Sequence, residues 1–115
     1  MQEIKQYIQS NLDITDIIIA GDYNQDIREK VIRRFYVDIG VCDIHGKINN
    51  IPLEQLDKTY KQGSKPIDYI AATAGVLDYI EECQLLDYND IIETDHRGYM
   101  IDIALDEYFE IEFSS

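Results

Sequence analysis

Three short polar clusters interrupt otherwise apolar stretches of this chain, and their side chains are the kinds that move protons and hold phosphate. Gly21-Asp22-Tyr23-Asn24 sets a carboxylate and a carboxamide two residues apart, with glycine permitting a sharp exit from the preceding apolar run, so that Asp22 and Asn24 can share one site. Pro66-Ile67-Asp68-Tyr69-Ile70 places a single acid in an apolar segment, where burial without a partner is costly. Thr94-Asp95-His96-Arg97-Gly98 puts an acid beside an imidazole, the side chain best suited to proton transfer near neutral pH. A carboxylate behind that imidazole fixes its tautomer and stabilises its protonated form, and Asp68 is the candidate for that role. Each cluster also has a plainer reading. Asp and Asn after a strand form turns or cap helices, and a His-Asp pair in a loop is a common surface feature.

The elements that must position these clusters can be read from hydrophobic period. Ile4, Ile8 and Leu12 recur at helical spacing and predict an amphipathic helix ending near Asn11. Ile17-Ile18-Ile19-Ala20 is β-branched and apolar on both faces, which predicts a central strand covered on both sides and stopped by Gly21. From Asp26 the period turns helical, with Ile27, Val31, Phe35 and Ile39 as its stripe flanked by Ile32 and Tyr36, Asp26 and Glu29 as a capping box, and Gly40 as a left-handed exit. Short strands are predicted at 41–44, 59–60, 67–72 and 99–105, and one helical turn at 53–56. Residues 75–86 mix apolar and acidic side chains without an assignable period, and the tail alternates Phe109, Ile111 and Phe113 with glutamates, as an edge strand or a frayed terminus would.

With 115 residues, 45% apolar and 29% charged, the chain has the composition of one globular domain, residues 1–115, with a single modest core. The longest aliphatic run, 17–20, is far short of the roughly 20 residues that cross a bilayer, and the N-terminal segment has no signal-peptide pattern, so a cytoplasmic or nuclear protein without membrane contact is expected. Cys42 and Cys83 form no Cys-x-x-Cys unit and are read as reduced core residues. Ten basic residues against 23 acidic ones give a net charge of −13, which opposes non-specific binding to a polyanion, so any nucleic-acid contact must be local or bridged by metal.

Taken in this order, the three clusters resemble the C-terminal motif series of the endonuclease/exonuclease/phosphatase superfamily, to which pancreatic deoxyribonuclease and the abasic-site endonucleases belong. Gly21, Asp22 and Asn24 match its Gly-Asp-x-Asn segment, Ile67, Asp68 and Tyr69 its Ile-Asp-Tyr strand, and Thr94, Asp95 and His96 its Ser-Asp-His motif with a hydroxyl exchange at the first position. The resemblance covers about residues 13–105 and corresponds to the second half of a family domain about twice this long. It implies an α/β (α+β) fold, half of a four-layer α/β/β/α sandwich, with one mixed sheet and helices on one face. The family's N-terminal asparagine and metal-binding glutamate have no counterpart here, since Gln2-Glu3 lies at a helix start.

The resemblance further implies a Mg2+ (or Mn2+) dependent phosphodiester hydrolase without a covalent intermediate. Asp22 would orient or deprotonate water, Asn24 would hold water or phosphate, and His96 supported by Asp68 would stabilise developing charge. Asp95, with Asp22 and Asn24, would face the metal. Lys58, Lys61, Lys65 and Arg97 lie near the motifs as candidate phosphate contacts. The family acts on nucleic acids, inositol phosphates and lipids, and the stretches 17–44 and 63–68 look most like endonuclease domains of eukaryotic mobile elements, which favours DNA. The lone chain is expected to be incomplete and inactive without a complementing N-terminal half. The alternative is a non-catalytic remnant or interaction module that keeps the scaffold and covers an exposed apolar sheet face by self-association or with a partner.

Overall fold

The computed structural model describes residues 2–11, 16–89 and 94–114, the side chains of 111–114 excepted. In chain order its elements are α1 (Gln2–Ser10), β1 (Ile18–Asp22), α2 (Lys30–Ile39), β2 (Val41–Asp43), α3 (Ile44–Asn49), a 3-10 turn (Leu53–Gln55), β3 (Asp68–Thr73), α4 (Ala74–Leu77), β4 (Ile80–Leu85), β5 (Tyr99–Ile103) and α5 (Leu105–Ser114). None of the described helices is long and apolar enough to cross a membrane. The class is α+β, as the sequence implies. Instead of one mixed sheet, the described strands form an antiparallel sheet in the order β1-β3-β2 and an antiparallel β4-β5 pair.

The central strand is β3, not β1. Tyr69 and Ala71 join one apolar cluster with Ile32, Phe35, Tyr36 and Ile39 of α2, while the alternate residues Ile70 and Ala72 join a second with Ile44, Val76, Ile80 and Cys83. A strand that buries both faces cannot slip by one residue without exchanging the two sets, so its register is firmly set. The second face of β3, expected to be bare, is covered within the chain by α3, α4 and the β4-β5 pair, and helices lie on both faces rather than one. β1 is an edge strand: Ile17 and Ile19 pack inward, but Ile18 is 45% exposed. Its outward face is nonetheless apolar because Ile18 borders an open cavity of about 300 Å3 shared with Val76, Tyr79, Ile103, Leu105 and Tyr108.

Gly40 ends α2 in the left-handed region at φ 74, its N–H bonded to the last-turn carbonyls, as read from the sequence. The start of α2 differs. Asp26 lies outside the helix and accepts three hydrogen bonds from the Arg28 guanidinium (2.5–3.0 Å), while Glu29 is the N-cap without a side-chain cap bond. Because the helix begins at Lys30, its buried stripe is Ile32, Phe35, Tyr36 and Ile39, spaced three, four and seven residues from the first, and Val31 is 49% exposed.

Further differences follow from local geometry. Ile44 opens α3 rather than closing β2, because the Asp43 carboxylate caps that helix by accepting from the Gly46 N–H at 2.7 Å. The tail is helical, with Asp106 and Glu107 in its first turn where the helix dipole favours acids. Of the α1 stripe, Ile8 packs against the core, Ile4 is 38% exposed, and Leu12 lies outside the described residues. Cys83 is buried as expected and Cys42 is exposed; both are free thiols. Since Phe35 is 5% exposed, Phe35→Ala should cost about 3–5 kcal/mol in denaturant unfolding. Val31→Ala, on the solvent side, should stay within about 0.5 kcal/mol; equal costs would mean that the helix packs through the other face.

Candidate active site

The antiparallel register of β1 against β3 pairs Ile18 with Ala72 and runs to the pairing of Asp22 with Asp68. Directly opposed residues of an antiparallel pair share a face, and like charges there repel. The conflict is relieved by the loop that precedes β5. His96 lies half-buried against both acids, with Nδ1 2.7 Å from Asp68 Oδ2 and Nε2 3.8 Å from Asp22 Oδ2. One ligating atom from each of the three residues falls within 4.8 Å of the others. The hydrogen bond to Asp68 raises the His96 pKa above its ordinary value, against the opposing effect of burial and with further help from the charges of Asp68, Asp22 and Asp95.

Around this trio the backbone is closely tied. Beyond Asp22, Tyr23 N donates to Ile67 O at 3.0 Å and Ile27 N to Pro66 O at 3.1 Å, so the loop after β1 stays fastened to the approach to β3. Asn24 sits in the left-handed region at φ 53, and its N–H donates to Asp22 Oδ1 at 3.0 Å. The turn-forming reading of that cluster and the site-forming one therefore hold together. The Tyr99 hydroxyl donates to Asp68 O at 3.3 Å, and the Tyr60 ring lies 4.8 Å from the imidazole, tilted by 40°. Beside His96 opens a cavity of about 390 Å3 bordered by Leu86, Thr94, Gly98 and Tyr99.

The sequence-derived candidates fare differently. Asp22, Asp68 and His96 are brought together, and Asn24 is on the turn that carries Asp22. Asp95 is exposed beside His96 and is not part of the close group; its carbonyl accepts from Lys61 N at 2.7 Å. Arg97 lines the cavity beside His96, but its guanidinium is already engaged within the chain. Its guanidinium donates to Leu86 O at 2.8 Å and Leu85 O at 3.3 Å, and faces Asp87 at 3.5 Å and Asp57 at 3.9 Å. Lys58 Nζ donates to Lys61 O at 3.2 Å. Sequence reading put Thr59 and Tyr60 on a short strand that, with Gly63, suits the family's approach to the Ile-Asp-Tyr strand, but it did not show that the Thr59 hydroxyl is buried.

Solved structures of other proteins share this fold. A 3′ phosphatase, NExo, from Neisseria, solved bound to product DNA hairpin, matches with a TM-score of 0.66 at 11% identity, over 87% of this chain and 50% of that one. An endonuclease/exonuclease/phosphatase family protein from Leptotrichia buccalis matches with a TM-score of 0.59 at 20% identity, over 89% of this chain and 40% of that one. The chain shares its fold with these two proteins. The chain spans half the length of the first of these structures and less of the second. No protein-family model matches the chain, and neither does any curated protein.

A hard divalent cation takes oxygen ligands, so the donors on hand decide whether one fits. Asp68 Oδ2 is committed to the imidazole and Asp22 Oδ1 to the Asn24 N–H, which leaves Asp22 Oδ2, Asp68 Oδ1 and the exposed Asp95 carboxylate among the acids of these clusters. These oxygens fit only part of such an ion's shell of about six or more oxygens.

The raised His96 pKa fixes a sign. Its pairing with Asp68 contributes stability in full below the unfolded value of 6.5 and loses it as pH rises through a folded value above 6.5. An NMR titration of the ring should give a midpoint above 6.5, and Asp68→Asn should lower it. A midpoint at or below 6.5 in the unaltered chain would contradict the hydrogen bond.

Proposed function

We propose that this chain supplies the acid, amide and histidine side of a phosphodiester-hydrolysing centre that acts on DNA. The observation that carries the reading is the imidazole held between Asp68 and Asp22 at the end of the β1-β3 ladder. Asp22, exposed and adjacent to the imidazole Nε2, takes the proton of a water whose oxygen attacks phosphorus as the ester P–O bond breaks. Asn24, on the same turn, holds that water or a non-bridging phosphate oxygen through its carboxamide. His96, kept protonated by Asp68, donates from Nε2 to an oxygen on which negative charge accumulates. A Mg2+ or Mn2+ ion, when bound, supplies charge neutralisation at the phosphate, with Asp95, Asp22 and Asn24 as the residues of this chain that would face it.

DNA is favoured as substrate on two grounds, the resemblance of 17–44 and 63–68 to mobile-element endonucleases and the DNA hairpin held by the Neisseria structure. The scarcity of uncommitted carboxylates at the site supports a further expectation, that turnover needs metal ligands from a complementing N-terminal half. The rival reading, an interaction module without turnover, differs in outcome. Purified chain should leave supercoiled DNA intact in millimolar Mg2+, whereas co-expression with an N-terminal half from a related protein should give nicking that falls about 100- to 10,000-fold in His96→Ala. Nicking that survives His96→Ala would sink the proposed chemistry, and none in any sample would favour the interaction module.

A further inference from the structure

Thr59 lies in a charged, exposed stretch, Asp57-Lys58-Thr59-Tyr60-Lys61, yet it is fully buried. Its side-chain oxygen accepts two backbone hydrogen bonds, from Ile67 N at 3.0 Å and from Asp68 N at 2.9 Å. Its carbonyl accepts from Arg97 N at 2.7 Å, one residue beyond His96. The next two residues continue the seam: Tyr60 forms an antiparallel bridge with His96, and Lys61 N donates to Asp95 O at 2.7 Å. Asp68 and His96 come from segments 28 residues apart, and the stretch around Thr59 runs between them, tied to both.

We propose that Thr59 is a positioning residue for the Asp68–His96 pair, fixing the acid through its hydroxyl oxygen and the imidazole through its carbonyl. At the first residue of β3, two successive N–H groups point at one site, where a backbone carbonyl would ordinarily meet only one of them. A hydroxyl oxygen has two lone pairs and takes both, and a β-branched side chain with few rotamers holds it still. Valine keeps the shape but offers no acceptor, so the Asp68 backbone would have to move to find another partner. A shift of a few tenths of an ångström there acts directly on a 2.7 Å contact between side chains. The proposal deepens the hydrolase reading, since it concerns the same imidazole, but its test does not depend on turnover.

The test compares Thr59→Val and Thr59→Ser with the unaltered chain by NMR at one fixed pH below 6.5, following the low-field Nδ1–H proton of His96, which is seen only while its hydrogen bond protects it from exchange with water. Loss of that resonance in folded Thr59→Val, with retention in Thr59→Ser, is the expected result. A merely structural threonine would lower stability in both variants yet leave the resonance in place. Its retention in folded Thr59→Val, or its loss in Thr59→Ser, overturns the proposal. Should Thr59→Val not fold, hydrogen exchange in the unaltered chain decides: the Asp68 and Arg97 amides should be protected, and exchange at unprotected rates at either overturns it. DNA nicking that ignores His96 would defeat the hydrolase reading without altering any of these resonances.

Discussion

Two carboxylates facing each other across an antiparallel ladder repel, and the site of this protein is built on the way that repulsion is relieved. Asp22 and Asp68 end the β1-β3 pairing opposite one another, and the His96 imidazole stands 2.7 Å from one and 3.8 Å from the other. A protonated ring satisfies both acids at once, whereas a neutral ring satisfies mainly Asp68. Much of the proposed chemistry is therefore an extension of a structural need: the acids keep the imidazole charged, and a charged imidazole is a donor to phosphate.

That arrangement depends on elements remote from it. A slip of β3 by one residue would move Asp68 to the opposite face from Asp22, and what forbids the slip is the burial of Tyr69 and Ala71 against α2 and of Ile70 and Ala72 against α3, α4 and β4. The far end of the same ladder is pinned as well. There Ile17 N donates to Thr73 Oγ1 at 3.0 Å, Thr73 N donates to Ile17 O at 3.0 Å, and the Tyr108 hydroxyl of α5 donates to Asp16. Hydrophobic packing sets the register, and the register sets the chemistry.

The meeting of Asp22, Asp68 and His96 was legible through the joint resemblance of their three clusters to one family's motif series, since each cluster alone reads as a turn or a surface feature. The α2 helix and its Gly40 exit were legible because a strong period and a left-handed glycine are local signals. What could not be read was set by tertiary context. The apolar run at 17–20 looks like a central strand, but its outward face meets a cavity between sheets rather than a layer of the core. Residues 75–86 showed no period because a short helix precedes a strand with a register irregularity between Ile80 and Glu82, which puts Ile80 and Cys83, three apart, on the same buried side. Thr59 was legible only as part of a short strand leading to Asp68, because a hydroxyl that accepts two backbone bonds leaves no trace in composition or spacing.

The account therefore turns on whether Asp68 and His96 act as one unit. The most direct measurement is a double-mutant cycle of Asp68→Asn and His96→Gln by denaturant unfolding at a pH below 6.5, where the imidazole is protonated. A hydrogen-bonded charged pair in contact should show a favourable coupling of about 0.5–3 kcal/mol. Additivity of the two substitutions within about 0.3–0.5 kcal/mol would mean that the two side chains do not meet, and would contradict the account.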